Sequence, residues 1–145
     1  MLKSILLISL FSLFLCQMTK GEKIAQCVKS QVGKIYQYRG RGPDTFDNLG
    51  LIKYCHEQEG INIYLPHWTD RDLLSLVRAN GTQVDKVEQG VIVFGIGSRD
   101  VSCFLALNDK FEYLGGYNGC TLSIKRHTGF SGLGYDYSYA YYKLW

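Results

Sequence analysis

Residues 42–52 read Gly-Pro-Asp-Thr-Phe-Asp-Asn-Leu-Gly-Leu-Ile, a glycine-containing loop that leads directly into an apolar helical pattern. Asp47 and Asn48 are both good helix N-caps, because their short side-chain oxygens accept hydrogen bonds from the free N–H groups of a first turn. The helix is predicted to run to about Glu59 and to stop at Gly60. Asn48 therefore lies at the positive end of a helix, where a thiolate would be stabilised. Asn48 has no thiol, so it cannot be the nucleophile of a cysteine enzyme.

The segments on either side of this helix predict helices first and strands afterwards. Helices are expected over residues 22–32 and from Thr69 or Asp70 to about Asn80, with apolar positions at helical spacing. Apolar or alternating strand patterns follow at 91–96, 101–107, 110–114 and 121–126. A last strand ends at Trp145, with its tyrosines on one side: Tyr135, Tyr137, Tyr139 and Tyr141. This order predicts an α+β fold in which N-terminal helices pack on an antiparallel β-sheet.

A tight turn at Asn108-Asp109 separates two of these strand segments. Residues 101–107 precede the turn and residues 110–114 follow it. Two apolar runs joined by so short a connection are typical of a β-hairpin. We therefore expect these two segments to pair with each other.

Length and composition limit the class of protein. A chain of 145 residues with 46% hydrophobic and 20% charged residues is typical of one packed domain and not of a disordered chain. The net charge is +3, with Lys and Arg scattered along the sequence. No basic stripe is visible, so nucleic acid is not expected as a partner.

The N-terminus has the pattern of a secretory signal peptide. Lys3 precedes a short apolar run that ends at Cys16, and Thr19 and Gly21 are small residues at −3 and −1 from a cut before Glu22. The sequence thus predicts a signal peptide over 1–21 and a single secreted domain over 22–145. No membrane association beyond the signal peptide is expected; an uncleaved membrane anchor is the alternative.

Four cysteines remain after such a cut, an even number that suggests disulfides in a secreted domain. Three pairings are possible. In the expected pairing, each disulfide lies within one half of the chain, so that Cys27 bonds Cys55 and Cys103 bonds Cys120. Buried free thiols are the alternative. No Cys-x-x-Cys motif or histidine cluster is present, so neither a metal nor a cofactor is expected. Asn80-Gly81-Thr82 is a candidate glycosylation sequon.

Several motifs in chain order resemble the NlpC/P60 family of papain-like cysteine peptidases and amidases. The front half carries Gly33-Lys34-Ile35-Tyr36, Arg39-Gly40, Pro43-Asp44, Phe46-Asp47, Gly50-Leu51, Gly60-Ile61 and Leu65-Pro66. The family pattern there is G-x-P-Y, a glycine-rich loop, D-C-S-G and L-P-R. Residues 88–94 and 101–113 resemble the family's P-G-D-L strand and H-V-G hairpin. The resemblance covers nearly the whole of 22–145.

Carried over position by position, the resemblance implies a degenerate catalytic site. The family nucleophile falls on Asn48. The catalytic histidine falls on Val101 if the family hairpin is aligned without gaps. It falls on Cys103 if that alignment is shifted by one pair of residues. The residue that orients the histidine falls on Tyr113. The cleft-lining positions implied are Tyr36, Asp47, Asn48 and Tyr113. Since a cysteine hydrolase needs a thiolate and an imidazole together, the family chemistry is not expected here.

Three functions follow from this pattern. The favoured one is a secreted pseudoenzyme that keeps the cleft of a cell-wall peptide hydrolase, either to bind a peptide or glycopeptide of the cell-wall type, or as a structural module with a protein partner. The second is an active cysteine hydrolase, a peptidoglycan endopeptidase or amidase, with a relocated Cys/His pair. The third is a disulfide-stabilised structural protein without a ligand. The three histidines, His56, His67 and His127, are expected at the surface or the cleft edge.

Overall fold

The computed structural model describes residues 17–128 and 137–145. Three helices are present in this part of the chain: α1 (Lys20–Lys29), α2 (Asn48–Gln58) and α3 (Asp70–Asn80). Its strands are β1 (Ile35–Tyr36), β2 (Thr45–Phe46), β3 (Thr82–Val84), β4 (Ile92–Ile96), β5 (Val101–Leu105), β6 (Glu112–Gly115), β7 (Ser123–Arg126) and β8 (Ser138–Lys143). The α+β fold predicted from the element order is confirmed.

Local side-chain chemistry fixes where the helices begin. Asp47 caps α2 by accepting from Gly50 N, and Thr69 caps α3 in a capping box with Asp72. Each cap is one of the two residues that the sequence offers, Asp47 or Asn48 for α2 and Thr69 or Asp70 for α3. α1 begins at Lys20, before the expected start at residue 22, because Thr19 and Glu22 form a capping box there.

The main sheet has four strands in the order β3-β8-β4-β5, all antiparallel. One face, with Ile92, Phe94 and Tyr142, packs on the helices in the main core. The opposite face holds a smaller cluster around Val93 and Phe104. The glycine-rich segment 129–134 and Tyr135 lie outside the described residues.

The expected hairpin between 101–107 and 110–114 forms only beside its turn, where Leu107 N donates to Glu112 O at 2.7 Å; the two described strands do not pair with each other. β5 pairs along its length with β4, and β6 pairs with β7 in a separate two-stranded sheet. Phe111 adopts a positive φ of 57°, a left-handed conformation that turns the chain away from β5. The Asn108 side chain holds the turn by accepting from the backbone N–H groups of Lys110 and Glu112.

Helices α1 and α2 pack together and are joined by a disulfide between Cys27 and Cys55. α2 in turn lies against β5, and the N-terminus of α3 lies close to the same strand. This arrangement brings the starts of α2, α3 and β5 to one place. Within the described ranges, no helix is both long enough and apolar enough to cross a bilayer.

Candidate functional site

A cleft of about 400 Å³ opens where α2, α3 and β5 begin. Its size is within the range of about 300–1,000 Å³ typical of ligand pockets. It is lined by Tyr36, Tyr38, Asp47, Asn48, Leu49, Trp68, Thr69, Asp70, Arg71, Arg99, Asp100 and Val101. Three of the four residues expected to line a cleft, Tyr36, Asp47 and Asn48, are among them.

Asp47 ties together the wall of this cleft. Its buried carboxylate accepts hydrogen bonds from Gly50 N at 2.6 Å, Arg39 N at 3.0 Å and the Trp68 indole Nε1 at 2.9 Å. Three donors from three segments fix the carboxylate and the indole together. Asp47 therefore holds the glycine-rich loop, the helix start and Trp68 in one arrangement.

Gly50 is required by a close backbone approach beside this carboxylate. A Cβ at Gly50 would lie 1.9 Å from the carbonyl oxygen of Gly40, closer than any real contact. The loop can therefore lie against the first turn of α2 only if residue 50 lacks a side chain. This contact holds the loop against α2, next to the cleft.

Asn48 is the first residue of α2, and its side chain lines the cleft. Nδ2 donates to the backbone oxygen of Cys103 at 3.4 Å. Oδ1 is buried and accepts no hydrogen bond from the described residues. The carboxamide thus joins the helix start to β5 while one of its polar atoms remains unpaired.

Cys103, whose backbone oxygen accepts from Asn48, has a thiol that is held as a neutral donor. Cys103 is 3% exposed, and its Sγ donates to Asp70 Oδ1 at 3.0 Å. Burial raises the pKa of the Cys103 thiol well above its ordinary value, and the negative charge of Asp70 raises it further. A thiol in this environment is not a thiolate nucleophile.

Carboxylates near this thiol act on the pKa values of their neighbours. Burial raises the pKa of Asp70, and the Asp47 charge adds to the rise, while the bond from Cys103 opposes it. Burial and the carboxylates of Asp47 and Asp70 likewise raise the pKa of Tyr36. Among the described residues, Cys103 is the only hydrogen-bond donor to the Asp70 side chain. Asp70 can therefore still accept from a ligand.

The two candidate histidine positions lie on the same strand. Val101 lines the cleft, and Cys103 lies two residues further along β5, with its backbone bonded to Asn48. Neither side chain is a base. Tyr113 packs on Phe104, with ring centroids 4.7 Å apart, and is not among the residues that line the cleft.

None of the three histidines lines the cleft. His56 is fully buried in α2, so its expected place at the surface is wrong; it lies one turn after the buried Ile52, whose backbone oxygen its Nδ1 contacts at 2.7 Å. His67 is exposed and pairs with Asp72, and the His127 ring packs near Phe104 at 5.0 Å. No imidazole in this structure is therefore placed as a base in the cleft.

One of the two expected disulfides is present. Cys27 and Cys55 are bonded, whereas Cys103 and Cys120 are free, so the pairing expected between them is wrong. Cys103 points into the protein and bonds Asp70, whereas Cys120 is exposed in a loop.

Asn80 is exposed at the end of α3, and its glycosylation stays a prediction. In the described part of the chain, no group of three His, Cys, Asp or Glu could hold a metal ion.

Several cleft residues were not predicted from sequence. Trp68 and Asp70 enter the cleft with the start of α3, and Arg99, Asp100 and Arg71 form its polar rim. Arg71 Nη2 donates to the backbone oxygen of Arg99 at 2.6 Å, which joins the two segments. Only the helix-cap pattern at Thr69-Asp70 gave a local signal, and it predicted a helix start and not a cleft.

The fold is similar to two solved structures from Trichomonas vaginalis. NlpC1 superposes with a TM-score of 0.60 and 20% identity, over 89% of this chain and 46% of that one. NlpC2 superposes with a TM-score of 0.58 and 20% identity, over 90% of this chain and 50% of that one. The chain thus spans about half the length of each. No protein-family model matches the sequence, and no curated protein matches it. The described residues therefore have an NlpC/P60-like α+β fold.

Proposed function

We propose that this chain is a secreted NlpC-like domain that binds a peptide or glycopeptide of the cell-wall type and does not hydrolyse it. The observation that carries the proposal is the place of Asn48. Its carboxamide lies at the first residue of α2, on a cleft of about 400 Å³. In the resemblance to the NlpC/P60 family, this is the position of the nucleophile.

The surroundings of Asn48 support the loss of cysteine chemistry. A cysteine hydrolase needs a thiolate, an imidazole that exchanges its proton and a group that orients the imidazole. Here the nearby thiol of Cys103 is buried against a carboxylate. Val101, the other position on which the family histidine can fall, lines the same cleft and offers no proton acceptor. An active hydrolase with a relocated Cys/His pair has no support in this geometry.

The open cleft supports binding over a purely structural role. A cleft filled by its own side chains would favour a disulfide-stabilised structural protein, but the space beside Asn48 and Tyr36 remains open. Asp70 lines the cleft with free acceptor capacity, because among the described residues Cys103 is the one hydrogen-bond donor to its carboxylate. A ligand with an N–H donor complements such an acceptor.

The aromatic residues give the same cleft an apolar contact surface. Trp68 is held by Asp47 and covered on one side by the Arg41 guanidinium, 4.2 Å from the ring centroid. Tyr36 and Tyr38 line the cleft as well. Fixed aromatic side chains next to polar acceptors suit the mixed polar and apolar surface of a peptide.

Calorimetric titration with soluble muropeptides tests this proposal. We expect saturable binding, and we expect Asp70→Asn to weaken it at least about tenfold, a change of about 1.4 kcal/mol. Asp109→Asn is the matched control, since Asp109 is an exposed acid in the turn before β6 and outside the cleft. Mass spectra of the recovered muropeptide should show no product. Cleavage that disappears in Cys103→Ala, or no binding at all, contradicts the proposal.

A further inference from the structure

A second pocket lies on the face of the main sheet opposite the helices and shares no lining residue with the cleft. This aromatic pocket has a volume of about 220 Å³ and is lined by Phe111, His127, Thr128, Tyr139 and Tyr141. Its lining in the described part of the chain includes no lysine, arginine, aspartate or glutamate. Since an apolar cavity of about 150 Å³ holds one benzene-sized molecule, the aromatic pocket suits one small group and not a length of peptide.

The rings of the aromatic pocket stand at steep angles to one another. The Phe111 ring is inclined at 84° to Tyr139 and at 71° to Tyr141, with ring centroids 6.5 and 6.3 Å apart. The His127 ring is inclined at 70° to Tyr139, with centroids 6.1 Å apart. Rings placed in this way surround a rounded group from several sides, whereas a flat ring needs one open aromatic face on which to stack.

Contacts between three segments of the chain hold these rings in place. His127 N donates to Phe111 O at 2.9 Å, and His127 Nε2 lies 3.4 Å from the hydroxyl oxygen of Tyr139. Phe111 has a positive φ of 57°, which is unusual for a bulky residue and is found most often at functional positions. The fold therefore holds the walls of this pocket in a fixed arrangement, with a strained residue in one of them.

The electrostatics of the aromatic pocket favour a cation without N–H groups. The faces of aromatic rings are negative and attract a cation that lies within about 6 Å of the ring centroid. Burial lowers the pKa of His127 below its ordinary value of 6.5, so its imidazole is neutral near pH 7 and does not repel a cation. A primary ammonium group would need acceptors for its N–H groups, and leaving them unpaired costs free energy. A quaternary ammonium group has none to satisfy.

We propose that the aromatic pocket binds the trimethylammonium group of a small soluble molecule. This function is separate from peptide binding in the cleft. The rim of the pocket is polar, because Arg126, Thr128 and Ser138 are all exposed. A polar rim does not enter a bilayer as an apolar surface does, which favours a free molecule over a lipid headgroup.

An NMR titration of the ¹⁵N-labelled protein with choline chloride tests the proposal. We expect saturable shifts in the amides of Phe111, Thr128 and Tyr139. An uncharged isostere of choline, in which a carbon atom replaces the nitrogen, should bind at least about tenfold more weakly because it lacks the charge. The proposal is overturned by equal affinities for the two compounds, by shifts confined to the cleft, or by the absence of saturable shifts.

Variants of the pocket tyrosines test the role of the aromatic faces. Tyr139→Leu and Tyr141→Leu should each weaken choline binding at least about threefold, because each removes one aromatic face and keeps an apolar side chain. Tyr139→Phe keeps the ring and should retain binding. Tyr64→Leu is the matched control, since Tyr64 is exposed and lines neither pocket. Urea unfolding checks that each variant is folded. Unchanged binding in both pocket variants, or an equal loss in Tyr64→Leu, overturns the proposal.

Sedimentation with phosphatidylcholine vesicles distinguishes a lipid headgroup from a free molecule. We expect the protein to remain in solution. Protein that sediments with the vesicles, and no longer does so as Tyr139→Leu, would assign the pocket to a lipid headgroup and overturn the proposal for a free molecule. None of these experiments uses a muropeptide, so their failure is distinct from failure of the function proposed for the cleft.

Discussion

The thiol of Cys103 donates a hydrogen bond to the carboxylate of Asp70 across 3.0 Å, in the cleft wall beside Asn48. The thiol is buried, and its negative partner favours the protonated form. A cysteine of a hydrolase requires the opposite, a positive neighbour that favours the thiolate. The pair therefore shows how a cysteine can lie close to the start of α2 without being reactive.

Thiol labelling of the native chain should separate the two free cysteines. In a chain of residues 17–145, we expect Cys120 to react quickly with a maleimide because it is exposed. We expect Cys103 to react only after unfolding. Peptide mapping by mass spectrometry identifies the labelled residue. Cys120→Ser should remove the fast phase, and Cys103→Ala should leave it unchanged. Fast native labelling of Cys103 would contradict the description of this pair.

Removal of the disulfide should cost much of the stability of the domain. Cys27 and Cys55 are separated by 28 residues, and closing a loop of that size restricts the unfolded chain. The double variant Cys27→Ala/Cys55→Ala should lower the free energy of unfolding by about 3–4 kcal/mol. Urea unfolding measures the change, and Cys120→Ala is the control that should not alter it. A decrease in the free energy of unfolding of less than about 1 kcal/mol would show that the disulfide contributes little to stability.

His56 should make the fold sensitive to mild acid. Burial lowers its pKa from 6.5 to about 4, while Nδ1 contacts Ile52 O at 2.7 Å. Below pH 6.5 the unfolded chain binds a proton that the folded chain does not bind until about pH 4. The free energy of unfolding is therefore full above pH 6.5 and should fall by about 3 kcal/mol as the pH drops to 4.

Urea unfolding at pH 7 and pH 4 measures this loss. His56→Leu should remove most of it, because leucine does not titrate. His67→Gln, a change at an exposed histidine, should retain it. An unchanged pH dependence in His56→Leu would mean that other groups cause the acid sensitivity.

Restoring a cysteine and a histidine should identify which β5 position faces the helix start. We expect Asn48→Cys/Val101→His to lower the thiol pKa relative to Asn48→Cys alone, because both positions line the cleft. The pH dependence of alkylation rates gives that pKa. Asn48→Cys/Cys103→His is the comparison. It should not gain reactivity, since residue 103 is buried. A gain of thiol reactivity only in the Cys103→His variant would favour the alignment that places the family histidine at residue 103.

The local features of the fold could be predicted from sequence, and the long-range ones could not. Asp47 and Thr69 cap helices because of their own side chains and the next three residues, so the sequence pattern located each helix start to within one residue. The separation of β6 from β5 follows the positive φ at Phe111, for which the sequence has no glycine signal. β8 lies between β3 and β4, and such an insertion depends on contacts far apart in the chain.

The same distinction holds for the cleft. Tyr36, Asp47 and Asn48 were predicted because the resemblance to the NlpC/P60 family places its cleft positions on them. Asp70 was predicted only as a helix start, because its bond to Cys103 spans 33 residues. The pairing of Cys103 with Cys120 was wrong for a related reason. Both cysteines belong to the strand-rich half, but one faces inward and the other faces solvent.

A two-dimensional NMR titration of ¹⁵N-labelled 17–145 with unlabelled muropeptide tests the central claim most directly. Binding without cleavage predicts saturable shifts in the amides of the cleft, including Asn48, Asp70 and Val101, while the muropeptide's own signals stay those of the intact compound after prolonged incubation. New product signals would contradict the loss of catalysis. The absence of cleft shifts at saturating muropeptide would contradict binding.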